Sequence, residues 1–323
     1  MLIFLTEKKA IVVNVDNFVR AETNKYFDRM VKQAGAVNAW KHNRQPTPID
    51  EQTVIRMNRD TLYSFAIIDI SKGAALTMPD AENRYMSIMI VNQDHYVNKV
   101  YHGGGTYHLT TEEFNTPYVF VAVRTLINSS DPEDIKEVNV LQDKMRIEAV
   151  SAKPFVMPSY DMESYKKTYD ALIELGRGVT DSFGTFGRKE NVNPVRHLIG
   201  TAGGWGGGLP VEEAVYENVE PELPVGKYKI TVKDVPCDAF WSVSLYNKDG
   251  FFKKNDLNAY AVNSVTAVPN DDDSFTINFG GCSDRRMNCL PIMEGWNYVV
   301  RYYRPHREVI EGKYKFPKPK HVP

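Results

Sequence analysis

The sequence predicts a mainly β protein with helices, an α+β fold of two antiparallel β-sandwiches related by internal duplication. A phrase that occurs twice indicates the duplication: YMSIMIVNQDHY at residues 85–96 returns without a gap as FWSVSLYNKDGF at 240–251. Short runs of alternating apolar and polar residues, separated by Gly, Asn, Asp and Pro, indicate the antiparallel class. Together they predict two copies of one sandwich.

The length of 323 residues agrees with two copies, because one hydrophobic core rarely grows to that size. We predict an N-terminal helix and the first sandwich over residues 1–127, a helical and glycine-rich linker over 128–210, and the second sandwich over 211–323. Within the repeated phrase, Ile88 and Ile90 match Val243 and Leu245 on one strand face. Strand parity makes this the core face, and the same face includes Trp241.

Capping residues predict where the helices begin. They are Asp16, Asp131 before Pro132, Asp161, and Asn193 before Pro194. Gly35 is expected to end the first helix, and the last helix is expected to cover only residues 195–200. The glycine-rich stretch at 200–210 lacks the ending of a phosphate-binding loop, so we interpret it as a flexible linker or a substrate-gating lid that Trp205 anchors.

The charge pattern argues against nucleic-acid and membrane partners. The formal net charge is −2, and the basic cluster KYKFPKPKHVP is short and interrupted by proline. No apolar run approaches the length of a membrane span. The opening MLIFL is followed by TEKK and lacks the features of a signal peptide, which favours a cytoplasmic location.

Three cysteines are too few for a fold built on disulfides. Cys282 and Cys289 bracket the loop CSDRRMNC, so they can form a disulfide or remain free thiols. A zinc site is not indicated, because the sequence has no Cys-x-x-Cys pair.

Polar groups concentrate in the stretch MNRDTLYS at residues 57–64. Asn58 and Asp60 can form turns through their side chains, Arg59 offers a fork for a carboxylate or phosphate, and Tyr63 offers a phenol. The alternative interpretation is a hairpin turn with no chemical role, because Asn and Asp are common turn residues.

Three histidines lie around the triple glycine at 103–105. They are His95, His102 and His108; if the glycines turn a hairpin, His102 and His108 share a strand face and lie within reach of a common metal or ligand. No cofactor is predicted, and a divalent metal bound by His102 and His108 is the alternative.

Several phrases resemble a bacterial tandem family, the domain of unknown function 1254 in the N-terminal half and the domain of unknown function 1214 in the C-terminal half. They include NRDTLYS, YMSIMIVNQDHY, HGGGTYHLT, FGRKENVNPVRHLIGTAGGWGG and NCLPIMEGWNYVVRYYRP. The resemblance implies two jelly-roll-like sandwiches, a shape similar to that of some carbohydrate-acting enzymes and double jelly-roll capsid proteins. It implies no activity and no catalytic residues, and it implies that many relatives are exported.

The leading hypothesis is a hydrolase-type enzyme that acts on a small or carbohydrate-like ligand, bound at loop ends between the two sandwiches. Asp60 or Asp94 would be the base, His95 or Tyr63 the acid, and Arg59 would neutralise negative charge. Ligand-binding residues would also include Asn58, Trp241, Tyr246, Glu294 and Arg301.

The alternative is a non-enzymatic double jelly-roll assembly or ligand-binding protein, in which exposed Tyr and Trp side chains build a homo-oligomer. The two copies of the repeated phrase offer one discriminating feature. His95 of the first copy aligns with Gly250, and Val91 aligns with Tyr246. If the halves have divided their roles, we expect His95→Gly to impair function without unfolding the chain.

Overall fold

The structure, a computed structural model, describes residues 9–52, 54–179, 181–206 and 208–322. The strands are β1 (Lys41–His42), β2 (Thr61–Asp69), β3 (Ala74–Met78), β4 (Met86–Asn92), β5 (Val97–His102), β6 (Gly105–Leu109), β7 (Tyr118–Leu126), β8 (Arg146–Ala149), β9 (Ala214–Val219), β10 (Tyr228–Val232), β11 (Cys237–Tyr246), β12 (Ala261–Asn263), β13 (Phe275–Phe279), β14 (Cys289–Leu290), β15 (Asn297–Pro305) and β16 (Lys320–His321). The helices are α1 (Phe18–Ala34), α2 (Thr111–Phe114), α3 (Pro132–Lys144), α4 (Met162–Leu175), α5 (Pro194–Gly204) and α6 (Arg307–Ile310).

Residue contacts divide the chain into two compact units, and neither unit is one continuous stretch. Unit 1 comprises the described residues up to His42, Ser64–Val123 and Lys144–Pro210. Unit 2 comprises Asn43–Tyr63, Arg124–Asp143 and the described residues from Val211 onward. The segment that precedes β2 therefore belongs to unit 2, although it lies in the first half of the sequence.

The order of neighbouring strands repeats, as duplication requires. One sheet has the order β1-β2-β7-β4-β5 and another has β12-β11-β15-β9, while the smaller sheets are β6-β3-β8 and β14-β13-β10-β16. The repeated phrase makes β4 equivalent to β11. The order β2-β7-β4-β5 then corresponds to β9-β15-β11-β12, and β6-β3-β8 to β13-β10-β16. The mainly antiparallel β class and the internal duplication are thus confirmed.

Unit 2 has a sandwich core between its two four-stranded sheets. The core contains Ile230 of β10, Ile277 of β13, Val243 of β11 and Val300 of β15, which come from both sheets. Trp241 lies in the same core and is 3% exposed. The predicted core face of the repeated phrase is therefore confirmed in this unit. The parallel pairing of β14 with β13 is an exception to the antiparallel pattern.

The turn that follows each copy of the phrase is closed in the same way. The side-chain oxygen of Asn92 accepts hydrogen bonds from the backbone N–H groups of Asp94 and Tyr96, both at 3.0 Å. Asn247 accepts the same two bonds from Asp249 and Phe251. Both turns contain one left-handed residue, His95 in the first and Gly250 in the second. The shared Asn therefore belongs to the scaffold.

The helix caps agree with the predictions at three of four positions. Asp131, Asp161 and Asn193 each accept hydrogen bonds from backbone N–H groups in the first turn of their helices. The prediction for Asp16 was wrong. Helix α1 begins at Phe18, so its N-cap residue is Asn17 rather than Asp16. Gly35 ends α1 in the left-handed conformation, as predicted.

Two further expectations were wrong. Residues 200–204 continue helix α5, and Trp205 directly after them is buried, so this part of the glycine-rich stretch is not a flexible linker. The hairpin expected at residues 103–105 is absent among the described strands, because β5 pairs with β4 whereas β6 pairs with β3. His102 and His108 therefore lie in different sheets. None of the helices in the described parts of the chain has both the length and the hydropathy to cross a bilayer.

Cys282 and Cys289 form a disulfide with a sequence separation of 7, whereas Cys237 is a free, half-buried thiol. Because a disulfide restricts the unfolded chain, we expect its reduction to lower the free energy of unfolding by about 2 kcal/mol for so short a loop. Urea unfolding with and without dithiothreitol measures this difference. Cys237→Ser should keep the full effect of the reductant, and a chain that unfolds identically under both conditions would contradict the expectation.

Candidate functional site

In unit 2, the predicted residues before β2 enter a buried polar network on the outer face of β11 and β15. The carboxylate of Asp60 accepts hydrogen bonds from the Ser242 hydroxyl at 2.7 Å and from the Asn263 amide at 3.2 Å. The Asn58 amide donates to the Tyr303 hydroxyl at 2.7 Å, and its oxygen accepts from the Asp60 backbone N–H. These bonds fix residues 58–60 on the sheet.

Arg301 is the cation of this network and is 4% exposed. It donates to the Ser244 hydroxyl, to the Arg56 carbonyl oxygen and to the Tyr246 hydroxyl, each at 2.8 Å. The Tyr246 hydroxyl in turn donates to the Met57 carbonyl oxygen at 2.6 Å. Burial raises the pKa of the Tyr246 phenol, so the hydroxyl stays protonated and remains a donor.

Arg59 and Tyr63 also contact other residues of unit 2. An Nη of Arg59 donates to the Thr47 carbonyl oxygen at 2.7 Å, and its guanidinium lies 5.0 Å from the centre of the Tyr260 ring. Burial lowers the pKa of the Arg59 guanidinium. The guanidinium of Arg124 lies 5.4 Å from the centre of the Tyr63 ring. The sequence hypothesis assigned the Arg59 guanidinium to a ligand. In the structure it is buried and holds its own segment in place through the Thr47 carbonyl oxygen.

The structure does not bring the other two unit 2 candidates into this network. Trp241 points into the sandwich core, where its ring contacts Phe275 and Phe316, so its assignment as a ligand-binding residue was wrong. Successive side chains of a strand point to opposite faces of the sheet, so Trp241 faces the core whereas Ser242 faces the polar network. Glu294 is exposed beside Gly295.

Of the two predicted residues of unit 1, Asp94 lines a polar cleft of about 620 Å³, whereas His95 does not. We define the polar cleft by the side chains that line it: Asn92, Asp94, Tyr96, Asn98, Lys99, Glu113, Asn115, Arg188, Lys189 and Glu190. They come from the turn between β4 and β5, from β5 itself, from the end of α2 and from the loop before α5. Each of them carries a polar group.

Asp94 is held at the cleft from two sides. Arg20 of α1 donates from Nε at 2.9 Å and from Nη2 at 2.5 Å to the same carboxylate oxygen. The backbone oxygen of Asp94 faces Nε2 of His197 at 3.0 Å. Because Arg20 uses one carboxylate oxygen, the other can face a ligand.

His95 lies behind the cleft and is 1% exposed. The Gly206 backbone N–H donates to its Nε2 at 3.0 Å, so Nδ1 carries the hydrogen and donates to the Thr201 hydroxyl at 2.8 Å. The Thr201 hydroxyl in turn donates a hydrogen bond to the His197 carbonyl oxygen. Burial, and then the neighbouring His197, hold the pKa of His95 well below its usual range. A neutral ring with both nitrogens engaged positions its neighbours and has no proton to give a ligand.

Five rings form a continuous row of contacts from the cleft to α1, three of them stacked and one tilted, which we call the aromatic stack. Its members in order are Tyr96, His197, His95, Trp205 and Tyr26, with centroid separations of 4.7, 5.5, 5.1 and 4.2 Å. The Trp205 indole also donates to the Thr23 hydroxyl at 2.9 Å. The stack explains why Trp205 is an anchor, and it fixes the Tyr96 ring at the cleft.

The electrostatics of the cleft are mixed. Lys99 lies 3.7 Å from Glu113, and Nε of Arg188 donates to the Asn98 carbonyl oxygen at 3.1 Å. Burial, and then the nearby Asp94 carboxylate, raise the pKa of the Tyr96 phenol. Within the described ranges, Oδ1 of Asn98 is enclosed without a hydrogen-bond partner.

Sequence reasoning missed most of the cleft. Arg20, Tyr96, Glu113, Arg188 and His197 were not among the predicted site residues, and they lie far apart in the chain. The density of charge in GRKEN at 187–191 is the one local signal that could have indicated a surface cleft. No group of three or more His, Cys, Asp or Glu side chains suited to a metal ion occurs in the part of the chain that the structure describes.

Two solved structures share this fold. The VPA0106 protein from Vibrio parahaemolyticus is 20% identical, with a TM-score of 0.74 over 96% of this chain and 98% of the other. An uncharacterised protein from Burkholderia cenocepacia is 14% identical, with a TM-score of 0.53 over 95% of this chain and 88% of the other. At these identities the likeness concerns the fold alone. A comparison with curated proteins gave no match.

Family comparison matches two stretches of the sequence. Residues 37–149 match a protein family of unknown function, DUF1254, and residues 220–307 match another, DUF1214. The two matches occur in the order that the sequence motifs indicated. The chain therefore belongs to the proteins that carry the domains of unknown function 1254 and 1214 in tandem.

Proposed function

We propose that the polar cleft of unit 1 binds a small, carbohydrate-like ligand. The observation that carries the proposal is the lining of the cleft, in which acidic, basic and amide side chains are present together around one ring, Tyr96. The volume of about 620 Å³ falls in the range of small-molecule sites.

The lining matches a neutral polyhydroxylated molecule better than a strongly charged one. A hydroxyl group donates one hydrogen bond and accepts others, so it pairs with amides, carboxylates and cations alike. The charges of Asp94, Glu113 and Glu190 are balanced by those of Lys99, Arg188 and Lys189, which leaves little net field for an ion. The Tyr96 ring adds an apolar surface with a polar tip.

Binding can be tested with a panel of neutral mono- and disaccharides, detected by saturation-transfer NMR. We expect Glu113→Ala to weaken binding about tenfold or more, because it removes one acceptor from the lining. Glu112→Ala is the matched control, since Glu112 is the neighbouring acidic residue on α2 but does not line the cleft. No binding by the natural chain, or equal loss in both variants, would refute the proposal.

A hydrolase-type enzyme that acts on this ligand is the second candidate function. Three carboxylates line one cleft, and hydrolysis of a glycosidic bond generally uses a pair of them. In this form of the proposal Asp94, fixed by Arg20, is the base. His95 acts as a positioning residue rather than as the acid, and Asp60 and Tyr63 belong to the unit 2 network.

Hydrolysis is tested by following product formation from any disaccharide that binds. Asp94→Asn should abolish turnover while the bound sugar remains detectable, whereas binding without product in the natural chain leaves the protein a binding protein. For the assembly alternative, the premise of exposed tryptophans is weakened, because Trp205, Trp241 and Trp296 are buried.

A further inference from the structure

A second cavity of unit 1 differs in character from the polar cleft. It lies between α4 and α5 beside the loop that joins them, has a volume of about 420 Å³, and we call it the α4–α5 pocket. Its apolar wall is formed by Leu172, Ile173, Val179, Phe186 and Ile199. A pocket of this size and lining is suited to a small apolar molecule.

The glycines of α5 show that the space is not simply unfilled packing. Gly200 is required by its neighbours, because a Cβ there would clash with the Thr185 side chain. Gly203 has no such requirement, since an added Cβ would meet nothing within 4 Å. Glycine is unfavourable inside a helix, so Gly203 costs helix stability without a packing reason. Gly203 lines the pocket and is exposed, so no side chain at this position covers the pocket.

The polar rim of the pocket carries two guanidinium groups, those of Arg177 and Arg196. Nε of Arg177 is paired with the Glu174 carboxylate at 2.8 Å. Nη2 of Arg196 donates to the Asp181 carboxylate at 2.7 Å and to its carbonyl oxygen at 2.8 Å. Each of the two guanidinium groups therefore gives part of its fork to a protein carboxylate, and a remaining Nη group can serve a ligand.

We propose that the α4–α5 pocket binds a small amphipathic carboxylate, with its apolar part against the Leu172 and Phe186 wall and its anionic group at the arginine rim. An apolar tail accounts for the lining, and a carboxylate can accept hydrogen bonds from the remaining N–H groups of the two arginines. This site is separate from the polar cleft, and its ligand is of a different chemical class.

Octanoate is a suitable probe, and isothermal titration of the full chain measures its binding. Gly203→Leu places a side chain in the open space of the pocket, and we expect it to weaken octanoate binding tenfold or more. Gly203→Ala is the matched control and should bind within about twofold of the natural chain. Thermal unfolding verifies folding, since both replacements favour the helix at this position.

Two more probes test the anionic group. Octanol and octylamine have the same chain, so we expect octanoate to bind more tightly than either. Arg177→Gln, which changes an exposed rim residue, should reduce octanoate affinity and leave octanol affinity unchanged. Equal affinity for octanol, tighter binding of octylamine, no octanoate binding, or unchanged binding in Gly203→Leu would each overturn the proposal. Saccharide binding by Gly203→Leu should match the natural chain, which separates this site from the polar cleft.

Discussion

Replacing Arg301 by Met is expected to lower the free energy of unfolding by about 3 kcal/mol or more. Arg301 is buried and donates to the Arg56 carbonyl oxygen and to the hydroxyls of Ser244 and Tyr246. Methionine fills much of the volume but has no donor, so these acceptors would stay buried without one of their partners. Asp60 would also lose its electrostatic interaction with the Arg301 guanidinium.

Urea unfolding of matched variants distinguishes this effect from a general loss of charge. Arg304→Met is the control, because the Arg304 side chain is 48% exposed and lies 3.6 Å from Asp238, a surface pair worth about 1 kcal/mol or less. Arg301→Lys keeps the charge but loses the fork, so we expect an intermediate loss. Similar losses for Arg301→Met and Arg304→Met would show that the network does not hold residues 56–60.

The second large effect is expected at His95. We expect His95→Asn to lower the free energy of unfolding by about 2 kcal/mol or more, because two buried hydrogen bonds and a ring contact are lost. Asn tolerates the left-handed backbone found at this position. His95→Gly fits the backbone as Gly250 does, but it would lose the same contacts. Its expected effect is therefore on stability as well as on function.

His95 also predicts a pH dependence. Its pKa is well below the ordinary value of 6.5 in the folded chain, mainly because burial disfavours the charged ring and also because His197 is adjacent. The unfolded chain therefore binds a proton below about pH 6.5 that the folded chain does not, and stability falls as the pH falls. Between about pH 6.5 and 5 this contribution amounts to up to about 2 kcal/mol.

The measurement is the free energy of unfolding of the natural chain and His95→Asn at several pH values in that range. The natural chain should show the steeper loss toward low pH, and the variant should lack the part that His95 contributes. His108→Asn, which changes an exposed histidine, should keep the full slope. Parallel curves for the natural chain and His95→Asn would show that His95 takes up a proton in the folded state.

Features that depend on residues a few positions apart were predictable. The caps at Asp131, Asp161 and Asn193 bind N–H groups two or three residues away. The turn at Asn92 is closed by groups two and four residues away. Strand parity identified Val243 on the core face, because alternation is a local property of the strand.

The candidate site is formed by contacts between residues that lie far apart in the sequence. Asp94 and its partner Arg20 are 74 residues apart, and His95 bonds to residues 106 and 111 positions away. Arg301 reaches Arg56 over 245 residues. Contacts at such separations leave no periodic pattern in the sequence, so no single-sequence argument could join these residues.

The β class, the duplication, three of the four predicted helix starts and the tandem family were predictable from the residues alone. Caps and strand alternation involve neighbouring residues, and a repeat is visible when the sequence is compared with itself. The folded chain was needed to show that Asp60 belongs to a closed network and that His95 lies behind a cleft rather than in it. Those outcomes depend on which distant segments pack together, and burial and long-range hydrogen bonding arise only when they do.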